Sequence, residues 1–136
     1  MTMKPIDYYV SDYKEFGKQT ERFVRKKNFK NLPKQLLELK EPLSTGNFPG
    51  TLIREADDPE PYEVYKLRLP NIDSNAGKSN GYRIIYIVVT ERKIVVFLTI
   101  YYKKEQETVS DTYIDGLIDG FFLESVPYDE DAEEGS

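Results

Sequence analysis

The chain has no cysteine and no histidine among its 136 residues. Without cysteine there is no disulfide to staple the fold and no thiolate for catalysis or metal binding. Without histidine the commonest general base and the commonest metal ligand are missing together. Any catalysis must move protons with other groups. Long apolar runs are lacking too. Nothing approaches the roughly 20 residues that a membrane-spanning helix needs, and the opening MTMKPIDYYV has no apolar signal-peptide core. The expectation is a cytoplasmic protein with no membrane partner. With 39% apolar and 32% charged residues the composition is that of a globular protein, and the length suits one domain.

Positive charge is also scarce, at 19 lysines and arginines against 24 acidic residues, a net charge of −5. Taken whole, that opposes a nucleic-acid partner. The excess is local, however. From Glu124 to Ser136 the sequence reads ESVPYDEDAEEGS, with six acidic residues and no basic one, and the remainder carries a net +1. We therefore expect a domain over residues 1–123 and an acidic, disordered tail over 124–136 with almost nothing apolar to pack. Such a tail either only solubilises the protein or screens a basic surface of its own fold.

Periodicity predicts a short strand over residues 5–10, then a helix capped by Ser11. Phe16, Thr20, Phe23 and Val24 recur at helical spacing to about Lys27, with Gly17 weakening the middle. A second helix is predicted from Pro33, stopping before Pro42. Together they form a helical hairpin with seven basic residues between Arg22 and Lys40. Residues 44–61 have the glycine, proline and aspartate density of a loop. Tyr62–Leu69, Tyr82–Thr90 and Ile94–Tyr102 are rich in valine, isoleucine and tyrosine and read as three strands. The last two strands are apolar on both faces and should be central. Residues 90–93 fit a hairpin turn, and a final helix is predicted from Ser110 or Asp111 to Gly120. The fold class is α+β, an antiparallel sheet of three or four strands with helices packed on it.

An antiparallel meander brings the end of each strand beside the start of the next. Side chains alternate, so Lys66 and Arg68 share one face while Tyr65, Leu67 and Leu69 share the other. Arg83 opens the middle strand, Lys78 precedes it, and Lys103 and Lys104 close the last strand. These six cations converge on one end of the sheet, with Tyr82, Tyr101 and Tyr102 among them. Cations at strand ends are often no more than solvated caps. Two features point instead to a phosphate ligand: Arg83 offers a planar fork at the rim of an apolar strand, and tyrosines can stack on unpaired bases. Other motifs fall short. Gly77-Lys78-Ser79 looks like the end of a P-loop, but Ile72 stands where the first glycine belongs and a strand follows. Asp57, Asp58 and Glu60 lack calcium-loop spacing and adjoin two prolines. No metal or cofactor is expected.

The segments VYKLRLPNIDSNAGKSNGYRIIYIV and VVFLTIYYKKEQETVSDTYIDGLI, with GNFPG upstream, resemble the RelE superfamily of bacterial type II toxins over residues 46–118. The resemblance implies a compact α+β ribonuclease that cuts mRNA in the ribosomal A site by attack of a ribose 2′-OH on the adjacent phosphate, without metal. It implies Lys66 as general base, Arg68 as a second cation and Arg83 as the grip on the scissile phosphate. Lys104 or Lys103 would assist the transition state or leaving group. Lys78, Tyr82, Tyr102 and Lys103 would contact RNA, and Ser110 or Tyr113 would serve as acid or base. The implied partners are a cognate antitoxin, the ribosome and mRNA. Preorganised cations suit the charge that develops in phosphoryl transfer, and a base drawn from among them needs no histidine. Two other readings fit the same superfamily: a ParE-like gyrase inhibitor without RNase activity, and a non-toxic degenerate homologue acting as a binding module.

Overall fold

The computed structural model describes residues 7–124. Its elements run β1 (Tyr9–Asp12), α1 (Lys14–Arg25), α2 (Leu32–Ser44), β2 (Thr51–Ala56), β3 (Tyr62–Leu69), β4 (Tyr82–Val89), β5 (Ile94–Tyr102) and α3 (Asp111–Glu124). The strands form one five-stranded sheet in the order β1-β5-β4-β3-β2. Its β2-β3-β4-β5 portion is antiparallel, while β1 joins the far edge parallel to β5. The fold is α+β as the sequence implies, with a mixed sheet of five strands in place of an antiparallel one of three or four.

The three central strands form because their β-branched and aromatic residues are buried on both faces; every residue of β4 is buried. One face of the sheet presents Leu67, Tyr82, Ile84, Tyr86, Val88, Phe97 and Ile100 to Phe16 and Phe23 of α1 and Leu32, Leu36 and Leu43 of α2. The other presents Val64, Ile85, Ile87, Val96, Leu98 and Tyr101 to Ile114, Leu117, Ile118, Phe121 and Phe122 of α3. In β5 the pairing skips from Ile85↔Thr99 to Tyr86↔Phe97, which leaves Leu98 as an extra residue. This bulge puts Leu98 and Thr99 on the α3 side in succession and resets the alternation beyond it.

Several boundaries differ from expectation for identifiable reasons. Residues 51–56 lie within the expected loop but form β2, paired to β3. The alternation there is broken by a bulge between Leu52 and Arg54, and an edge strand leaves Leu52 and Ile53 exposed, so no buried stripe marks it. Ser11 is not a helix cap; it pairs with Val96 in β1, and the helix starts after Tyr13. Of the expected first strand, residues 5 and 6 lie outside the described residues. Pro42 sits inside the last turn of α2. Its carbonyl accepts from the Thr45 and Asn47 amides while Gly46, at φ 87°, turns the chain out of the helix. Gly120 does not end α3. A side chain there would meet the Tyr13 hydroxyl at 2.7 Å, and the helix continues because Phe121 and Phe122 are buried. Glu124 closes α3 and pairs with Lys14; the rest of the expected tail lies outside the described residues.

Candidate functional site

The strand register assembles the basic residues in rows. Arg68 on β3 is opposite Arg83 on β4, which is opposite Tyr101 on β5. One step inward, Lys66 is opposite Ile85, which is opposite Thr99. Alternation places all of these on the α3 side. Adjacent strands are about 4.8 Å apart, so each row spans roughly 10 Å. Lys103 continues the ladder by one bond, its amide donating to the Gly81 carbonyl at 2.9 Å. Lys78 and Lys104 are exposed in the turns that flank this end of the sheet.

Lys66 and Arg68 have no hydrogen-bond or acidic partner among the described residues, which leaves their donors to a ligand. Arg83 is different. It is 5% exposed, and its guanidinium donates to the carbonyls of Lys78 at 2.7 Å, Ser79 at 3.1 Å and Tyr82 at 3.2 Å. The Gly77-Lys78-Ser79 segment therefore turns carbonyls inward, the reverse of a phosphate cradle made of amides. The Nε–H and the second Nη2 hydrogen of Arg83 remain free to meet an anion. Burial, and then the adjacent Arg68 cation, lowers the Arg83 pKa; an anion in this row would relieve both.

One acidic side chain near the site is committed elsewhere. Glu105, just beyond Lys104, binds Arg22 at 3.0 Å and Lys27 at 2.6 Å. Burial alone would raise the Glu105 pKa, but hydrogen bonds from Lys27 and Arg22 overcome it and hold the carboxyl below its ordinary range. Its negative charge is thus spent on the helical hairpin, and Lys103 and Lys104 keep theirs.

Tyr82 and Tyr102 are not brought to this site. Both project from the opposite face into the core with Phe23 and Phe29, at ring separations of 5.4 to 6.1 Å. Tyr82 is fully buried and burial pushes its phenol up from the ordinary value. Tyr101 is the aromatic residue that lies in the Arg83 row. Counting by twos from Arg83 across the register would have selected it. Tyr82→Phe is accordingly expected to leave RNA binding unchanged and the melting temperature unchanged or higher, because the Tyr82 hydroxyl is buried without a partner among the described residues. A filter-binding titration that showed weaker RNA binding would return Tyr82 to the interface.

The two acid–base candidates separate in the same way. The Ser110 hydroxyl is occupied as the α3 cap, accepting from the Tyr113 amide at 3.0 Å. The Tyr113 hydroxyl lies 3.2 Å from Thr99 Oγ1, so it reaches the β5 end of the Lys66 row. Burial first, and then the Glu15 charge, raise its pKa against the opposing Thr99 hydrogen bond. The phenol therefore stays protonated at neutral pH. Among the described residues no group of three or more acidic side chains is placed to hold a metal ion, and no helix is long and apolar enough to cross a membrane.

These features define an α+β domain with a cationic row at one end of a mixed sheet. In fold the chain is similar to the isolated RelE toxin of E. coli, with a TM-score of 0.45 and 20% identity over 81% of this chain and 95% of that one. It is also similar to the archaeal RelE–RelB complex of Pyrococcus horikoshii OT3, with a TM-score of 0.43 and 18% identity over 71% of this chain and 96% of that one. No family model matches the sequence, and no curated protein matches it.

Proposed function

We propose that this protein is the toxin of a type II toxin–antitoxin pair and cuts mRNA on the ribosome. The observation that supports the reading best is the register itself, which sets Arg68, Arg83 and Tyr101 in one row and Lys66 and Thr99 at the ends of the next. In-line attack by a ribose 2′-oxygen needs a proton acceptor on one side of the phosphorus and a donor on the other, with positive charge between. Lys66 lies on the β3 side and Tyr113, through Thr99, on the β5 side. Lys66, reacting as the neutral amine, takes the 2′-OH proton as the O2′–P bond forms and becomes the ammonium. The P–O5′ bond breaks, and Tyr113 protonates the departing oxygen. The products are a 2′,3′-cyclic phosphate and a 5′-OH. Arg83 and Arg68 bear on the equatorial oxygens, and Lys103 or Lys104 on the leaving side. No metal or cofactor enters this scheme. The partner that silences the toxin is a cognate antitoxin segment covering the basic end of the sheet.

Induction of the wild-type gene is expected to arrest growth and produce mRNA ends at A-site codons, read by primer extension. Lys66→Ala should lower cleavage about 100-fold or more and relieve the arrest. Arrest without RNA ends, accompanied by loss of supercoiling in a gyrase assay, would replace this reading with the ParE-like one. The three backbone carbonyls on Arg83 favour a second reading, a binding module in which that arginine is structural. Full-length mRNA and normal growth after induction would establish it.

A further inference from the structure

We infer that Glu15 on α1 and Thr99 on β5 are positioning residues that hold the Tyr113 hydroxyl at the β5 side of the site; the inference rests on the nuclease reading above. The Tyr113 hydroxyl donates to Glu15 Oε1 at 3.5 Å and shares a hydrogen bond with Thr99 Oγ1 at 3.2 Å. On its own helix the Tyr113 amide is fixed by Ser110. Glu15 is the charged group that meets the phenol from α1, and Thr99 the polar group that meets it from β5. Tyr113 is 37% exposed and would otherwise sample several rotamers.

Glu15 is itself held. Gln19 Nε2 donates to its Oε1 at 3.2 Å, Gln19 Oε1 accepts from Arg22 Nε at 3.3 Å, and Arg22 binds Glu105 beyond Lys104. Residues 15, 19 and 22 are spaced to share one side of α1, and this side connects Tyr113 to the turn that bears Lys103 and Lys104. One row of α1 thus sets both groups that the reaction needs on the leaving-group side. When the leaving oxygen takes the Tyr113 proton, Thr99 can donate to the phenolate that remains, whereas Glu15 opposes that charge. The two partners act on the donor in opposite directions.

The test is a pH titration of Tyr113 in the full chain, followed by carbon NMR of labelled tyrosine rings, with Glu15→Gln and Thr99→Val compared with wild type. Removing Glu15's charge should move Tyr113 ionisation to lower pH, and removing the Thr99 hydroxyl should move it to higher pH. Glu15→Asp should restore the wild-type position at least in part. Opposite shifts support the inference. No shift, or shifts in one direction for both variants, would overturn it as a mere packing effect. This readout needs no RNA, so it is separate from the nuclease reading. In ribosome-bound cleavage the alkaline limb of kcat should follow the same displacements. A limb that stays in place while ionisation moves would remove Tyr113 as the donor, and absence of cleavage by the wild type would sink the nuclease reading instead.

Discussion

Arg83→Ala is expected to lower mRNA cleavage by about 100- to 1000-fold, the range seen when a preorganised donor to a developing oxyanion is removed. The substitution acts twice. It removes the cation at the centre of the Arg68–Arg83–Tyr101 row, and it releases the carbonyls of Lys78, Ser79 and Tyr82. The first two carbonyls belong to exposed residues and can turn to water, so most of the stability cost falls on the buried Tyr82 backbone, about 1 kcal/mol. Arg83→Lys separates the effects. It keeps a cation but cannot serve several carbonyls and an anion at once, because an ammonium lacks the planar fork. We expect Arg83→Lys to melt near the wild type, to cleave slowly, and to be nicked by protease within 77–81. Near-wild-type cleavage by Arg83→Ala would make the arginine a loop clasp and nothing more.

Gly50→Ala should strongly destabilise the fold. Gly50 has φ 106°, a region that alanine rarely adopts, and a methyl there would lie 2.5 Å from the Lys66 carbonyl oxygen and 3.2 Å from Leu67 Cα. These are backbone atoms of β3 and cannot rotate away. Strain at such a position costs on the order of 1–3 kcal/mol, and displacing β3 adds to it. A loss of at least about 2 kcal/mol should lower the melting temperature by roughly 10 °C. The moving atoms belong to Lys66, so cleavage should fall further than stability alone explains. Gly77→Ala is the control, with nothing within 4 Å of the added methyl. Thermal melts by circular dichroism that placed the two variants together would refute the steric argument.

What could be read in advance depended on how local the determinant was. Strands β3, β4 and β5 were legible to within one residue because valine, isoleucine, leucine and tyrosine are dense between turn residues. From them followed the meeting of Arg68 and Arg83, since an antiparallel pair joined by a loop places the end of one strand beside the start of the next. The strand β2 was not legible: its bulge breaks the two-residue period, and its apolar residues face solvent. The side of the sheet on which each tyrosine falls depends on which helix covers which face, and Tyr82 and Tyr102 went to the helical hairpin. The pairing of Glu15 with Tyr113 spans 98 residues and crosses two packing layers. Nothing in the periodicity of either helix announces it.

The parallel pairing of β1 with β5 has a consequence for how the protein is made. Tyr9 emerges early but finds no strand partner until Ile94 has been synthesised, and until then the apolar faces of α1 and α2 have little sheet to cover. The proposed site residues arrive in turn: Lys66, Arg68 and Arg83 before Ile94, then the Lys103–Lys104 turn, and Tyr113 last, on a helix that must clear the exit tunnel before it can dock. Under the proposed function, a nascent chain lacks its donor until every other proposed site residue named above has been made. On the proposed reading, the order of the elements withholds cleavage until α3 has docked on the sheet.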